Sequence, residues 1–162
     1  MDMFCYQCEQ TTKGTGCTTA GVCGKDAPTA ALQDLLIHAA KGISMYAHRA
    51  RGLGASDAQI DVFVLEALFT TITNVNFDPA RTETIIRDAA GVRDRARRMY
   101  EDACAAAGKQ PDVLGGPATW EPADGRDGLL AQGRAESIEA RQTARGEDIA
   151  GGIESKARES AE

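Results

Sequence analysis

Aromatic side chains are scarce: they make up 5% of the 162 residues, against 43% hydrophobic residues in all. A core must therefore be assembled from Ala, Leu, Ile and Val, and that stock favours helices, because Ala and Leu lose little freedom on entering one. Positive charge is also short. The net charge of −6 argues against a surface made for phosphate, so nucleic acid is not an expected partner. No apolar run reaches the length of a bilayer span, and the N-terminus lacks the basic-then-apolar profile of a secretory signal. No membrane is expected as a partner either, and the cytoplasm, where thiols stay reduced, is the expected compartment. The length suits one domain with a real core and is marginal for two.

Only five cysteines are present, and four of them, Cys5, Cys8, Cys17 and Cys23, fall in the opening MDMFCYQCEQTTKGTGCTTAGVCGK. That stretch is too rich in Gly and Thr to be core. A disulfide scaffold fits poorly with a reducing compartment and an odd cysteine count. Thiolates are soft, charged donors, and zinc or an iron–sulfur cluster is their usual cytoplasmic partner. A CxxC pair lets two thiolates converge on one metal, and the glycines let the backbone curl round a compact object. Four-cysteine zinc sites usually show two separated CxxC knuckles, whereas the second pair here is C-x5-C. The wrap C-x2-C-x8-C-x5-C favours a cubane cluster, with each thiolate on a different iron, and zinc stays as the alternative. A thioredoxin-type dithiol lacks its βαβ context. Cys104, among alanines, reads as a small buried apolar residue.

Downstream, TAALQDLLIHAAKGISMYAHRARGL repeats apolar residues at Leu32, Leu35, Leu36, Ala39, Ile43, Ala47 and Ala50, the spacing of one helix face. Thr29 after Pro28 is read as its N-cap, and Gly52 and Gly54 as its end. A second helix is expected from Ser56, with Gln59 completing a capping box and Ile60, Phe63, Val64, Leu68 and Ile72 on one face. A third follows Asp78 as N-cap and Pro79 at the first helical position, and carries Ile85, Ile86, Ala89, Val92, Ala96, Met99, Tyr100 and Ala103 up to Gly108. The expected fold is all-α: a cysteine-rich cluster-binding loop (residues 1–28) packed on an antiparallel three-helix bundle (29–108). Residues 109–128, dense in Pro, Gly and Asp with one large anchor, Trp120, read as a linker. Residues 129–162 have scattered apolar residues (Leu129, Leu130, Ile138, Ile149, Ile153) and read as a polar tail, helical in part or disordered.

FCYQCEQTTKGTGCTTAGVCGK, then LQDLLIHAAKGISMYA, then LFTTITNVNFD together resemble the start of the hybrid cluster protein family, also called prismane proteins or hydroxylamine reductases. The likeness runs from about Met3 to about Trp120. It implies that Cys5, Cys8, Cys17 and Cys23 hold a [4Fe–4S] cluster, since the shorter cysteine spacing marks the cubane-type members. It also implies an oxidoreductase: the family reduces hydroxylamine to ammonia, with nitric oxide reduction also ascribed to it. That chemistry belongs to a second, hybrid iron–sulfur–oxygen cluster with Cys, His, Glu and Lys ligands from domains far downstream. This chain departs there, because only Cys104 remains once four cysteines are assigned. Electron transfer is then the expected role, with no catalytic residue in the chain itself. The hybrid cluster would belong to the full-length family protein alone. An electron-donor redox protein, and catalytic domains on the same or another chain, are the expected partners.

Other constellations carry less. His38 and His48 lie ten residues apart on the first helix, nearly on one face in this reading, yet helix pairs that ligate metal stand three or four apart. Arg93, Arg95, Arg97 and Arg98 make a basic patch that could guide an acidic donor, or a solvated face among Asp88, Asp94, Glu101 and Asp102. The TNVNF turn (Thr73 to Phe77) either helps seat the cysteine loop or simply joins two helices. Two functional readings result: an electron-transfer [4Fe–4S] module, and a non-enzymatic zinc or iron–sulfur module that staples the loop or senses redox state.

Overall fold

Three aspartates start the three long helices. In the computed structural model, which describes residues 3–8, 10–72 and 75–137, α1 spans Ala27–Gly52, α2 Ala58–Thr70 and α3 Pro79–Ala106. Their N-caps are Asp26, Asp57 and Asp78. Asp26 Oδ1 accepts from Thr29 N–H at 2.8 Å, which satisfies one of the unpaired amides of the first turn. Asp78 Oδ1 accepts from Ala80 N–H (2.9 Å) and Arg81 N–H (3.2 Å), as the sequence predicts. The other two caps sit upstream or downstream of expectation. Pro28 lies inside the first turn of α1, where its missing N–H costs nothing, so the cap is Asp26 and not Thr29. For α2 the cap is Asp57, one residue after Ser56, because its carboxylate reaches Gln59 N–H at 2.9 Å.

α1 is the centre of the molecule. Its Leu32, Leu35 and Leu36 pack with Ala67 of α2 and with Ile85 and Ile86 of α3. Further along, Ile43, Tyr46, Ala47 and Ala50 meet Ile60 of α2 and Ala89, Ala96, Tyr100 and Cys104 of α3. Cys104 is thus a core residue, as its alanine surroundings suggest. α2 departs from the one-face expectation: Leu68 and Ile72 are exposed, and so are Val62, Leu65 and Phe69. Apolar residues surround AQIDVFVLEALFT on nearly every side, so periodicity could not choose the inward edge, which is Ile60 and Ala67.

The larger difference lies after α3. A fourth helix, α4, spans Gly125–Ala135, starting inside the expected linker and running into the residues read as tail. Leu129 is fully buried against α1 and α3. Trp120 is the anchor expected of it, packed against both halves of the core. Among the described residues there are four α-helices and no strand beyond one isolated bridge. None of these helices is long and apolar enough to cross a membrane. Ile138, Ile149 and Ile153 lie outside the described residues, as do Thr73 and Asn74 of the TNVNF turn.

α4 gets close to α1 because of what it lacks. A Cβ added at Gly133 would stand 2.1 Å from the backbone oxygen of Ala31, and one at Gly42 of α1 would stand 2.1 Å from that of Pro117. Neither obstacle is a side chain that can swing away. Gly133→Ala is therefore expected to lower the unfolding free energy by about 1–3 kcal/mol, the usual cost of forcing atoms into a packed contact, even though Ala is the better helix former. Urea denaturation checks this; a stabilised variant would mean that α4 does not seat on α1.

Candidate metal centre

The N-terminal loop is tied to the bundle and folded back on itself. Met3 and Cys17 are buried against Ala30 of α1, with Cys5 and Ala27 packed beside them. Cys5 and Cys17 face each other across a single antiparallel bridge. Cys5 N–H donates to Cys17 O (3.0 Å) and Cys17 N–H to Cys5 O (2.9 Å). Between these arms Thr11 N–H donates to Cys8 O (3.3 Å), and the chain turns through a 3-10 stretch at Thr12–Gly14. On the far side Gly21 N–H donates to Lys25 O (2.7 Å), closing a turn round Cys23.

Polar groups converge on two of the sulfurs. Thr11 Oγ1 and Thr12 Oγ1 each lie 3.5 Å from Cys17 Sγ, and Thr11 also donates to Cys5 O (3.2 Å). The Thr12 hydroxyl and N–H, helped by the Thr11 hydroxyl, outweigh burial and lower the Cys17 thiol to about 6. Hydrogen bonds to a charged form favour that form, so the loop favours the thiolate of Cys17, the form that ligates metal. Lys25 Nζ donates to Cys5 Sγ at 3.7 Å and to Gln7 Oε1 at 3.3 Å. Motif spacing does not single out Thr11, Thr12 or Lys25. The signal the sequence does hold is position: two threonines five and six residues before Cys17, and a lysine two after Cys23.

All five cysteines are free thiols; Cys17 and Cys104 are buried, and Cys5, Cys8 and Cys23 half-buried. The structure sets Cys5 and Cys17 opposite each other. It does not gather three of the four predicted ligands round one point: among the described residues no group of three or more His, Cys, Asp or Glu side chains is arranged to hold a metal ion. The donor set itself suits a soft metal, with four reduced thiols on one short wrap and hydrogen-bond donors aimed at sulfur.

The remaining candidates separate. His38 is buried, with Nδ1 2.8 Å from Glu136 Oε2 just past α4 and its ring edge-on to Trp120. His48 is exposed. At 3.6 residues per turn, ten positions leave the pair about 80° apart, so they do not share a face. The arginine patch also dissolves. Arg93 is buried, Arg95 pairs with Asp57 (2.6 Å) and Arg97 with Glu101 (3.7 Å). Asn76 Oδ1 accepts from Asp78 N–H (2.8 Å), and Gln33 Nε2 donates to Asn76 O (2.9 Å), so this part of the turn joins α3 to α1.

A profile of the Prismane/CO dehydrogenase family matches residues 3–155. The hydroxylamine reductase of Rhodospirillum rubrum is 58% identical over 149 residues, which cover 92% of this chain and 27% of that protein. That of Acidiphilium cryptum is 52% identical, covering 92% of this chain and 28% of the relative. That of Geobacter sulfurreducens is 45% identical, covering 88% and 26%. The chain thus spans about a quarter of the length of the curated relatives it matches.

Proposed function

The chain belongs to the Prismane/CO dehydrogenase family, and from that premise we propose that its cysteine loop is a one-electron relay, with Cys5, Cys8, Cys17 and Cys23 holding a [4Fe–4S] cluster. The observation that carries the reading is the state of the loop: four free thiols on one wrap, one of them acidified and hydrogen-bonded at sulfur. When bound, such a cluster accepts and releases single electrons at a potential set by hydrogen bonds to sulfur and by solvent exposure. The chain's own residues supply those controls. Thr11 and Thr12 stabilise charge on Cys17, and Met3, Ala27 and Ala30 keep water from that side of it. Ligation and folding are coupled at sites of this kind, so the glycine-rich turns bring the remaining thiols in as the metal enters.

The relatives are hydroxylamine reductases, and in our reading the reduction of hydroxylamine to ammonia takes place at a second cluster. These 162 residues contain no second cysteine group, only Cys104. We therefore assign the relay to this chain and the reaction to the rest of the longer protein that the relatives represent, on the same or another chain. The setting is the cytoplasm, and the partner is an electron-donor redox protein.

Anaerobic purification with iron and acid-labile sulfide analysis tests the reading. About four irons and four sulfides per chain are expected, as for a cubane cluster. Stoichiometric zinc without sulfide would overturn it in favour of a structural module. With an artificial electron donor these 162 residues are expected not to turn over hydroxylamine, and steady turnover would contradict the division of labour.

A further inference from the structure

Lys25 carries a charge where charge is rare. It is 3% exposed, and its Nζ reaches back from one end of the wrap to the other, donating to the Cys5 sulfur at 3.7 Å and to the neutral Gln7 amide at 3.3 Å. Lysine is almost never this buried unless its charge is paired, and the partners here are the Cys5 sulfur and the Gln7 amide oxygen. Phe4, Ala30 and Ile37 give the cavity beside it an apolar wall, and Asp34 is the carboxylate in that lining. The backbone of Lys25 acts independently of the side chain, since its carbonyl accepts from Gly21 N–H whatever residue stands there. Turn formation therefore does not explain the ammonium.

We propose that Lys25 sets the reduction potential of the group held by the loop, its ammonium at the Cys5 sulfur favouring the state that carries one more electron. The inference rests on the relay reading above. One electron arrives from a one-electron donor protein, and no bond forms or breaks. The site becomes one unit more negative while the positive charge beside it stays fixed. Attraction therefore grows on reduction, and burial protects it from the salt screening that would cancel it at the surface. Hydrogen bonding to a ligand sulfur acts in the same direction, because it withdraws charge from the metal side.

The test compares wild type with Lys25→Gln, Lys25→Arg and Gln7→Glu, each loaded with iron and sulfide under argon and assayed for both. The reduced fraction is then read by visible bleaching and electron paramagnetic resonance against dithionite and mediators at fixed applied potentials. At the wild-type midpoint, Lys25→Gln is expected to show a reduced-to-oxidised ratio about tenfold lower, which is ~59 mV for one electron. Lys25→Arg, which keeps the charge with a different shape, is expected to stay within about twofold. Gln7→Glu sets a carboxylate against the ammonium without removing it. It is expected to lower the ratio in the same direction, so an unchanged ratio in it overturns the inference even if Lys25→Gln takes up no cluster. Wild-type ratios in the loaded Gln7→Glu and Lys25→Gln proteins, or an Arg variant that falls as far as Gln, overturn the inference and leave the relay standing. Absence of iron and sulfide from the wild type overturns both.

Discussion

Replacing Cys17 by Ala is expected to empty the loop of the proposed cluster. Iron and sulfide per chain are expected to fall by more than the roughly 10–100-fold that loss of an outer hydrogen-bond partner costs a metal site, and the visible absorption of the bound cluster disappears. The helical circular-dichroism signal is expected to be kept, because Cys17 lies in a small cluster at the start of α1, with Met3 and Ala30, apart from the main core. Cys17 is the most committed of the four: it is buried, paired through its backbone with Cys5, and lowered to about 6 by Thr12 and Thr11. Removing it takes away a preformed thiolate together with the reason for the two threonines. Cys104→Ala is the matched control, the same chemical deletion in the core of α3 beside Tyr46 and Tyr100. It is expected to keep its iron and lose roughly 1 kcal/mol of stability to a small cavity. Iron retained by Cys17→Ala, or lost by Cys104→Ala, would show the ligands to be misassigned.

Cys104 is readable in sequence as a core residue by its apolar neighbours, whereas the spacing of the other four cysteines is what proposes them as ligands. α1 and α3 are readable for a related reason: each has one apolar stripe and one polar side, and Asp78-Pro79 punctuates the second of them. α2 hides its orientation because apolar residues occupy most of its circumference, so that Val62, Leu65, Leu68 and Phe69 stay exposed. α4 is unreadable by the same method, since what seats it is the missing side chain of Gly133 over the Ala31 carbonyl, and hydrophobic periodicity does not register an absence. The site divides in the same way. Four thiols are conspicuous, whereas Thr11, Thr12 and Lys25 stand out only once turns at Thr12–Gly14 and Gly21–Lys25 bring them to sulfurs five to twenty positions away in sequence. Arg93 shows the opposite failure. It sits in a run with Arg95, Arg97 and Arg98, and composition cannot say that only one of the four turns inward.

That inward turn gives Arg93 a large expected effect on stability. Its side chain is 5% exposed. It donates to Trp120 O, to Asp94 Oδ1 at 2.8 Å and to Glu121 Oε1 at 2.6 Å. It thereby straps α3 to the segment leading into α4, which Gln132 clamps from the other side through Glu121 O (2.8 Å) and Ala123 N–H (3.0 Å). Breaking a fully buried ion pair costs about 3–5 kcal/mol because a charge is left stranded. Here the carboxylates of Asp94 and Glu121 are 39% and 69% exposed and rehydrate, so that figure is too high. What stays stranded is the Trp120 carbonyl, at about 1–3 kcal/mol. Arg93→Met, which keeps most of the volume, is accordingly expected to cost about 2–4 kcal/mol in urea denaturation at neutral pH, the carbonyl plus the lost charged hydrogen bonds. Arg93→Lys recovers only part of this, because one ammonium cannot span three acceptors as a planar fork does. Acid separates the charged share from the packing share. Asp94 is held below the usual carboxylate range, first by the hydrogen bond from Arg93 and then by the positive charges of Arg93, Arg97 and Arg98. A depressed carboxylate adds stability above its unfolded pKa and loses it as pH falls through the folded one. In the wild type that contribution is present at neutral pH and disappears below about pH 4, whereas the Met variant keeps only the smaller share due to Arg97 and Arg98. The gap between the two proteins should therefore narrow from pH 7 to pH 3. A constant gap would mean that Arg93 holds the strap by its bond to the Trp120 carbonyl alone and that Asp94 contributes nothing.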